Sequence, residues 1–546
     1  MKRPLARSLP PLGIAFALAL LTYFQFPGHT WLQQDSQLYV PILEHQRDAT
    51  ILRNDPAAVE PHTGYTIYDE TAQAFGRVTG LDFHRVLGGE QIVARALGIW
   101  GLYLVATAAG LAAAPAWLVA MAVSLGAFIR GPEVLTFEYE PTPRAVAIPL
   151  VLFAIGLAAH RRLFAAALAG ACAFLFHAPA ALPFWAVFAL VRGPWRRRIA
   201  CLVPLAAAIG ILLLKAHGSN QPLFGRLTPL DEQLQHVRTA YVWISTWPAR
   251  ILWHYAIVTA ILLAAWIRVR RALPAVFSVL LIGMAALGLL AMPVSWLLLE
   301  HWKWRIVPEL QPMRWLLFTT LAMQILTVLC GAGASACQPR EAPPPCWRRF
   351  AESFAWFAAA FLLPLQPVLT EGLTWRQAAV VVGLAALATA AVARKWAPVA
   401  GLAAFFAVPV LGGVVCYPHL RTPELAALSQ WAHTATPRDA VFLFPDAGRS
   451  LDPGIFRSEA QRAVYVDWKS GGQMIYLPDF GFDWWVRWEQ TVGAGFQPSA
   501  VARYEALGIR YVVVAPGHRL AGAAVFDNRR YVVYDTHTGT PARQSR

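Results

Sequence analysis

The chain has 546 residues, 57% of them hydrophobic against 14% charged, with a mean hydropathy of +0.46, a balance that excludes a water-soluble enzyme. Its 40 Pro and 38 Gly punctuate long runs of Leu, Ala, Val and Phe, which excludes collagen-like and disordered chains. The +15 excess of Lys and Arg over Asp and Glu would hint at nucleic acid in a soluble protein; in a membrane protein it asks which side holds the positive charge, and no nucleic-acid partner is expected.

Apolar stretches of about 15 to 21 residues recur thirteen times. The first, near 11–26, follows Lys2, Arg3 and Arg7 and lacks a small-residue cleavage site before Pro27, so it reads as an anchor with a cytoplasmic N-terminus. The others fall near 91–110, 115–129, 144–160, 163–177, 178–191, 199–215, 251–267, 272–292, 313–331, 351–369, 377–393 and 396–416. Arg161 and Arg162, then Arg192 and Arg196 to Arg198, then Arg268, Arg270 and Arg271, then Arg340, Arg348 and Arg349, and last Arg394 and Lys395 mark the inner side. The stretch 163–191 is Arg-rich at both ends with Pro179 and Pro183 inside, so it is expected to fold as a hairpin of two short helices. Thirteen crossings then put the tail outside, and the hairpin decides that parity.

The organisation expected is a transmembrane domain over 1–416 and a soluble periplasmic α/β domain over 417–546. The outer loop 27–90 holds nine acids against four arginines, and helical pieces such as 36–47 suggest a packed cap. In the tail, helices are expected at 423–433 and 498–507 and strands at 440–444, 463–466, 510–514 and 531–534, giving a small, mostly parallel sheet. The six cysteines form no disulfide framework, Cys337 and Cys346 lack the spacing of a zinc site, and no Walker loop, HExxH or GxSxG motif occurs.

Three outer-loop segments carry candidate chemistry. Trp31-Leu-Gln-Gln-Asp35-Ser-Gln-Leu-Tyr39 places a carboxylate at the outer interface, where it serves either as a base on a membrane-held substrate or as the cap of the helix that follows. Thr136-Phe-Glu138-Tyr-Glu140-Pro-Thr-Pro-Arg144 adds two acids facing the same side, or merely pairing with Arg144 or Arg130. The loop 296–314 holds His301, Lys303, Arg305, Gln311 and Arg314 on a side otherwise poor in positive charge. A lipid phosphate explains such cations, and so does snorkelling in an aromatic belt with Trp296, Trp302 and Trp304. His177, at the tip of the hairpin, lines a cavity or satisfies a carbonyl at the Pro break. The Trp-rich tail segments near Tyr465 to Gly472 and Phe482 to Trp488 favour packing or membrane contact over sugar stacking.

Taken together, the first helix, the acidic loop with Asp35, the second acidic loop ahead of Pro143-Arg144, and Gln311-Pro-Met-Arg314 before a late helix resemble the polytopic glycosyltransferase C superfamily. The tail, from Thr422-Pro-Glu through Thr436-Pro-Arg-Asp439-Ala to Tyr511-Val-Val-Val, resembles the external domain of an uncharacterised bacterial branch. The resemblance implies an α-helical polytopic membrane protein of the inner membrane that uses polyprenyl-phosphate sugars on its outer face. It matches Asp35 to the first-loop catalytic carboxylate, Glu138 or Glu140 to the second-loop acid, and Arg314 to a position near the lipid phosphate. Paired acids are common in that first loop, whereas Asp35 stands between Gln34 and Ser36.

The mechanism expected has Asp35 deprotonating an acceptor hydroxyl while Arg314 and Lys303 stabilise the departing polyprenyl phosphate, with inversion at the anomeric carbon. Glu138 or Glu140 would orient the acceptor or hold a divalent ion, Mg or Mn. Tyr39, His177, Arg305 and Gln311 complete the candidate substrate-binding set. The partners expected are a polyprenyl-phosphate-linked sugar, membrane lipids and an acceptor glycan, lipid or protein. A transporter of a lipid-linked glycan, and a silent glycan-binding relative, are the alternatives.

Overall fold

The structure is a computed structural model that describes residues 9–22, 29–60, 63–191, 193–215, 225–333, 345–362, 374–393, 396–410, 421–497, 501–520 and 522–538. Lys2, Arg3, Arg7, Arg192, Arg340, Arg394, Lys395, Cys337, Cys416 and the start of the helix expected at 498 lie outside the described residues.

An apolar helix, α1 (Leu9–Leu21), is followed by a cap of α2 (Ser36–Arg47), α3 (Pro56–Val59) and α4 (Tyr68–Thr79). The helices α5 (Phe83–Ala108), α6 (Ala113–Ser124), α7 (Pro143–Ala159), α8 (Leu163–Phe176), α9 (Ala178–Phe188) and α10 (Trp195–Lys215) follow. Next come a short polar helix, α11 (Pro229–Arg238), then α12 (Ala249–Val269), α13 (Ala275–Ser295), α14 (Ile306–Leu310), α15 (Leu316–Gly331) and α16 (Cys346–Leu362), and apolar helices at Trp375–Ala393 and Ala397–Val410. An apolar helix thus stands at each of the thirteen marked stretches, and six of the described helices are long and apolar enough to cross a membrane. The chain is a multi-pass membrane protein.

The hairpin expected at 163–191 is present. The helix breaks at His177, and Trp185 Nε1 reaches back to donate to the Gly170 carbonyl at 3.0 Å. One feature escapes the hydropathy pattern: α13 continues as a π-helical turn through His301, after Pro293.

Between α6 and α7 the short strands β1 (Phe128–Ile129) and β2 (Val134–Leu135) pair antiparallel, and the tail carries a five-stranded sheet in the order β4 (Ala463–Val464), β3 (Val441–Leu443), β5 (Tyr511–Val514), β7 (Val532–Asp535), β6 (Phe526–Asp527). β4, β3 and β5 run parallel, but β7 and β6 are antiparallel, so the sheet is mixed and not mostly parallel. The turn before β7 explains this edge: the Asn528 side-chain oxygen accepts from the Arg530 and Tyr531 amides at 3.0 and 2.8 Å, a local bond that reverses the chain.

The first loop packs on the tail across the division expected at 416/417. Leu32, Val40, Leu43 and Tyr68 of the cap share one buried cluster with Leu425, Leu428, Phe442 and Phe456 of the tail. Beneath it the Arg457 guanidinium, 1% exposed, bonds Asp55 of the cap at 2.6 Å and Asp467 of the tail, both carboxylates buried. Cap and tail form one body at one end of the helices.

Candidate active site

A cavity of about 660 Å³ lies where the cap, the tail, the 133–144 loop and the adjoining ends of the helices meet. Asp35, Tyr39, Glu138, Glu140, His177, Gln311 and Arg314 all line it; Lys303 and Arg305 do not.

Asp35 is the N-cap residue just ahead of α2, yet its side chain makes no capping bond. Its Oδ1 accepts from Lys469 Nζ at 2.7 Å, and Arg144 Nη2 stands 3.6 Å from Oδ2. Burial works to raise its pKa, but Lys469, Arg144 and the more distant Arg314 outweigh that and hold the carboxyl well below the usual carboxylate range. Asp35 is therefore a carboxylate at neutral pH.

The cap is supplied from 105 residues away. Glu140 accepts from the Gln33 and Gln34 amides at 2.8 Å, from the Asp35 amide at 2.7 Å, and from the Ser36 hydroxyl. Only the Asp35 amide belongs to the helix start; those of Gln33 and Gln34 lie in the turn before it, and one carboxylate suits all three by charge as well as by geometry. Glu140 aims Asp35. Glu138 holds Arg144 through Nε at 2.7 Å, while its backbone carbonyl accepts from Arg95 and Gln91 at 2.6 and 3.0 Å.

His177 Nδ1 accepts from the Ala180 amide at 3.1 Å, so this side chain starts α9 after the Pro break, with its ring edge on the cavity wall. Tyr39 packs edge-on against Tyr68, and burial together with the Asp35 charge pushes its phenol well above the ordinary value, keeping it a neutral donor. Gln311 adopts a left-handed backbone at φ 47°, unusual for a side-chain-bearing residue, and this turns the chain into the short helix that carries Arg314. The Arg314 guanidinium lies over the Tyr241 ring at 5.2 Å and has no ion pair among the described residues.

Lys303 and Arg305 have other work. Lys303 is ion-paired with Glu232, and Arg305 with Asp231 at 3.2 Å, so the two cations staple α11 to the turn after α13. Their counterions lie about seventy residues away in a polar stretch that hydropathy passes over, and the expected role of Lys303 beside the leaving phosphate is not supported by this placement.

Other cavity cations come from elements outside the motifs: Arg238 of α11, and Arg449 and Lys469 of the tail. Arg238 donates to the Trp468 and Lys469 carbonyls at 2.7 and 3.1 Å, and Trp468 lies between the Arg238 and Arg449 guanidinium groups at 5.1 and 4.4 Å. The only local signal for these residues is the aromatic density around Lys469.

The expected Mg or Mn does not fit this donor set. Among the described residues no three His, Cys, Asp or Glu side chains cluster as a metal site. The cavity carboxylates are already bound: Asp35 by Lys469 and Arg144, Glu138 by Arg144, Glu140 by amides and a hydroxyl. Arg144 and Lys469 also stand where a divalent cation would meet like charge.

A family described as a domain of unknown function, DUF6798, matches residues 423–490. No curated protein matches the sequence. The crystal structure of ArnT from Cupriavidus metallidurans in the apo state aligns over 97% of this chain and 98% of its own, at 13% identity and a TM-score of 0.46. The same protein bound to undecaprenyl phosphate aligns over 98% of both chains, at 14% identity and a TM-score of 0.47. The arabinofuranosyltransferase AftD from Mycobacteria aligns over 96% of this chain and 41% of its own, at 17% identity and a TM-score of 0.43.

Proposed function

We propose that the chain is a membrane glycosyltransferase that moves a sugar from a polyprenyl-phosphate donor to an acceptor hydroxyl on the outer face of the membrane. One observation carries this reading: an ionised carboxylate, Asp35, and a guanidinium with no ion pair among the described residues, Arg314, face one cavity between the cap-and-tail body and the apolar helices. The first is a base and the second is a phosphate ligand.

In the reaction the acceptor oxygen attacks the anomeric carbon and its proton passes to Asp35. The bond from that carbon to the phosphate oxygen breaks, the electron pair leaves with the polyprenyl phosphate, and Arg314 receives the charge. A single displacement inverts the anomeric centre. Although Asp35 is a weak base, the attacking oxygen's proton becomes strongly acidic as the new bond forms, so a weak base suffices.

A transporter needs charge through the membrane depth. Of the bases in these helices, Arg95, halfway along α5, is engaged by the Glu138 carbonyl of the 133–144 loop at 2.6 Å, and Lys215, at the end of α10, pairs with Glu70 of the cap at 2.6 Å.

Mass spectrometry of lipid-linked sugars and envelope glycans, from cells carrying wild type or Asp35→Asn at matched expression, tests the reading. The expected result is accumulation of one polyprenyl-phosphate sugar and loss of one glycan residue. Identical profiles, with a null strain that differs from both, would remove Asp35 from the chemistry.

A further inference from the structure

Lys469 belongs to the tail, 434 residues from Asp35, and forms that residue's closest side-chain contact. Its backbone is pinned: Arg238 donates to the carbonyls of residues 468 and 469, and the Asp467 carboxylate accepts from the Ser470 amide at 2.9 Å. Asp467 is fixed in turn by Arg457 and Asp55. Several ion pairs join cap and tail, and two of them bear on the site. The Asp55–Arg457–Asp467 link is sealed, whereas the Asp35–Lys469 link lies on the cavity wall, with Asp35 34% exposed.

The contact poses a conflict. An acceptor hydroxyl must approach the carboxylate oxygen that the Lys469 ammonium holds. A donor phosphate in the same cavity is a better partner for the ammonium, because it brings a fuller charge and more acceptor oxygens. Lysine suits such an exchange, being a point charge on a flexible four-carbon stem; Arg144, gripped by Glu138, stays and keeps Asp35 ionised. The other groups facing Asp35 are Arg314, Tyr39, Tyr476, Glu140, Arg238 and His177.

We propose that Lys469 is a catalytic residue that exchanges partners, holding Asp35 in the empty site and moving to the donor's phosphate when the donor binds, so that the base is unmasked only with donor in place. This rests on the transferase reading above and adds the regulation of the same site. In the transfer step the acceptor proton goes to Asp35, the electron pair of the breaking carbon–oxygen bond goes to the phosphate, and Lys469 and Arg314 share its charge.

The experiment is a double-mutant cycle on binding of a polyprenyl phosphate by the purified full-length protein in nanodiscs. If Asp35 and the phosphate compete for Lys469, Asp35→Asn tightens binding, Lys469→Gln weakens it about tenfold (about 1.4 kcal/mol), and the double variant shows none of the Asp35→Asn gain. Lys469→Arg, which keeps the charge, binds within about threefold of wild type and stands in should the Gln variant fail to fold. A gain from Asp35→Asn that persists in full without Lys469 means simple repulsion between carboxylate and phosphate, and overturns the exchange. Equal binding by wild type and Lys469→Gln overturns it as well. Wild type that does not bind the lipid sinks the transferase reading itself, a result distinct from the other two.

Discussion

Asp35 sits between burial, which favours the neutral acid, and three cations, which favour the carboxylate, and the cations win. With its folded pKa depressed, the stabilisation it contributes is fully present above the unfolded value of about 4 and is lost only as pH falls below that. Transfer is therefore expected to show no acid limb from this group between pH 7 and about pH 5 in kcat/KM profiles; a limb centred above pH 5 would assign the base elsewhere. Because the cavity carboxylates are already held by N–H, hydroxyl and ammonium donors, dialysis against EDTA is expected to leave the transfer rate unchanged, and rescue by added Mn or Mg would show a metal after all. Glu140→Gln removes an acceptor that serves four donors, with an expected cost of about 1 to 3 kcal/mol in stability and a fall in transfer, since Asp35 loses its aim. The sequence places both acids in outer loops but does not say which is base and which is cap. That distinction is made by a bond spanning 105 residues, and local spacing carries no trace of it.

Among the elements, the apolar helices and the hairpin were legible because hydropathy and charge act within a single segment. What stayed hidden was short or polar: α11, the π-helical turn after α13, and the two-residue strand β6. These place Arg238, Lys303 and the antiparallel edge, so the unforeseen positions of the cations and the mixed sheet share one origin. The crossing of α5 and α7 is a stricter case, because it depends on what is absent. A Cβ on Gly101 would stand 2.5 Å from the Leu152 carbonyl oxygen, and one on Gly156 would stand 2.5 Å from that of Gly101. Backbones this close need small residues, the rule for helices packed in lipid. Gly101→Leu is expected to force the pair apart and lower the yield of folded protein in detergent, measured by size-exclusion chromatography. Since α7 carries Arg144 in its first turn, transfer should fall further than the surviving folded fraction explains.

At the scale of the whole molecule, the soluble character of the tail was legible from composition, but its union with the first loop was not, because complementary surfaces leave no mark in either segment alone. The Arg457 cluster shows how firm that union is. Arg457→Met leaves Asp55 and Asp467, at 0% and 1% exposure, without their cation, and breaking a buried pair in this way costs about 3 to 5 kcal/mol. The sign of the pH dependence follows. Burial already raises the Asp55 pKa against the pull of Arg457, and without the guanidinium both carboxylates rise above their unfolded values. Stability from a raised group is present at low pH and lost as pH climbs through the folded value, so the variant should be most damaged at pH 7 and partly restored at pH 5. Hydrogen exchange is expected to show residues 36–60 and 452–475 losing protection together in this variant, with the apolar helices unchanged. If the tail opened while the first loop stayed protected, cap and tail would be separate units, and a cavity walled by both would have no fixed shape in which Lys469 meets Asp35.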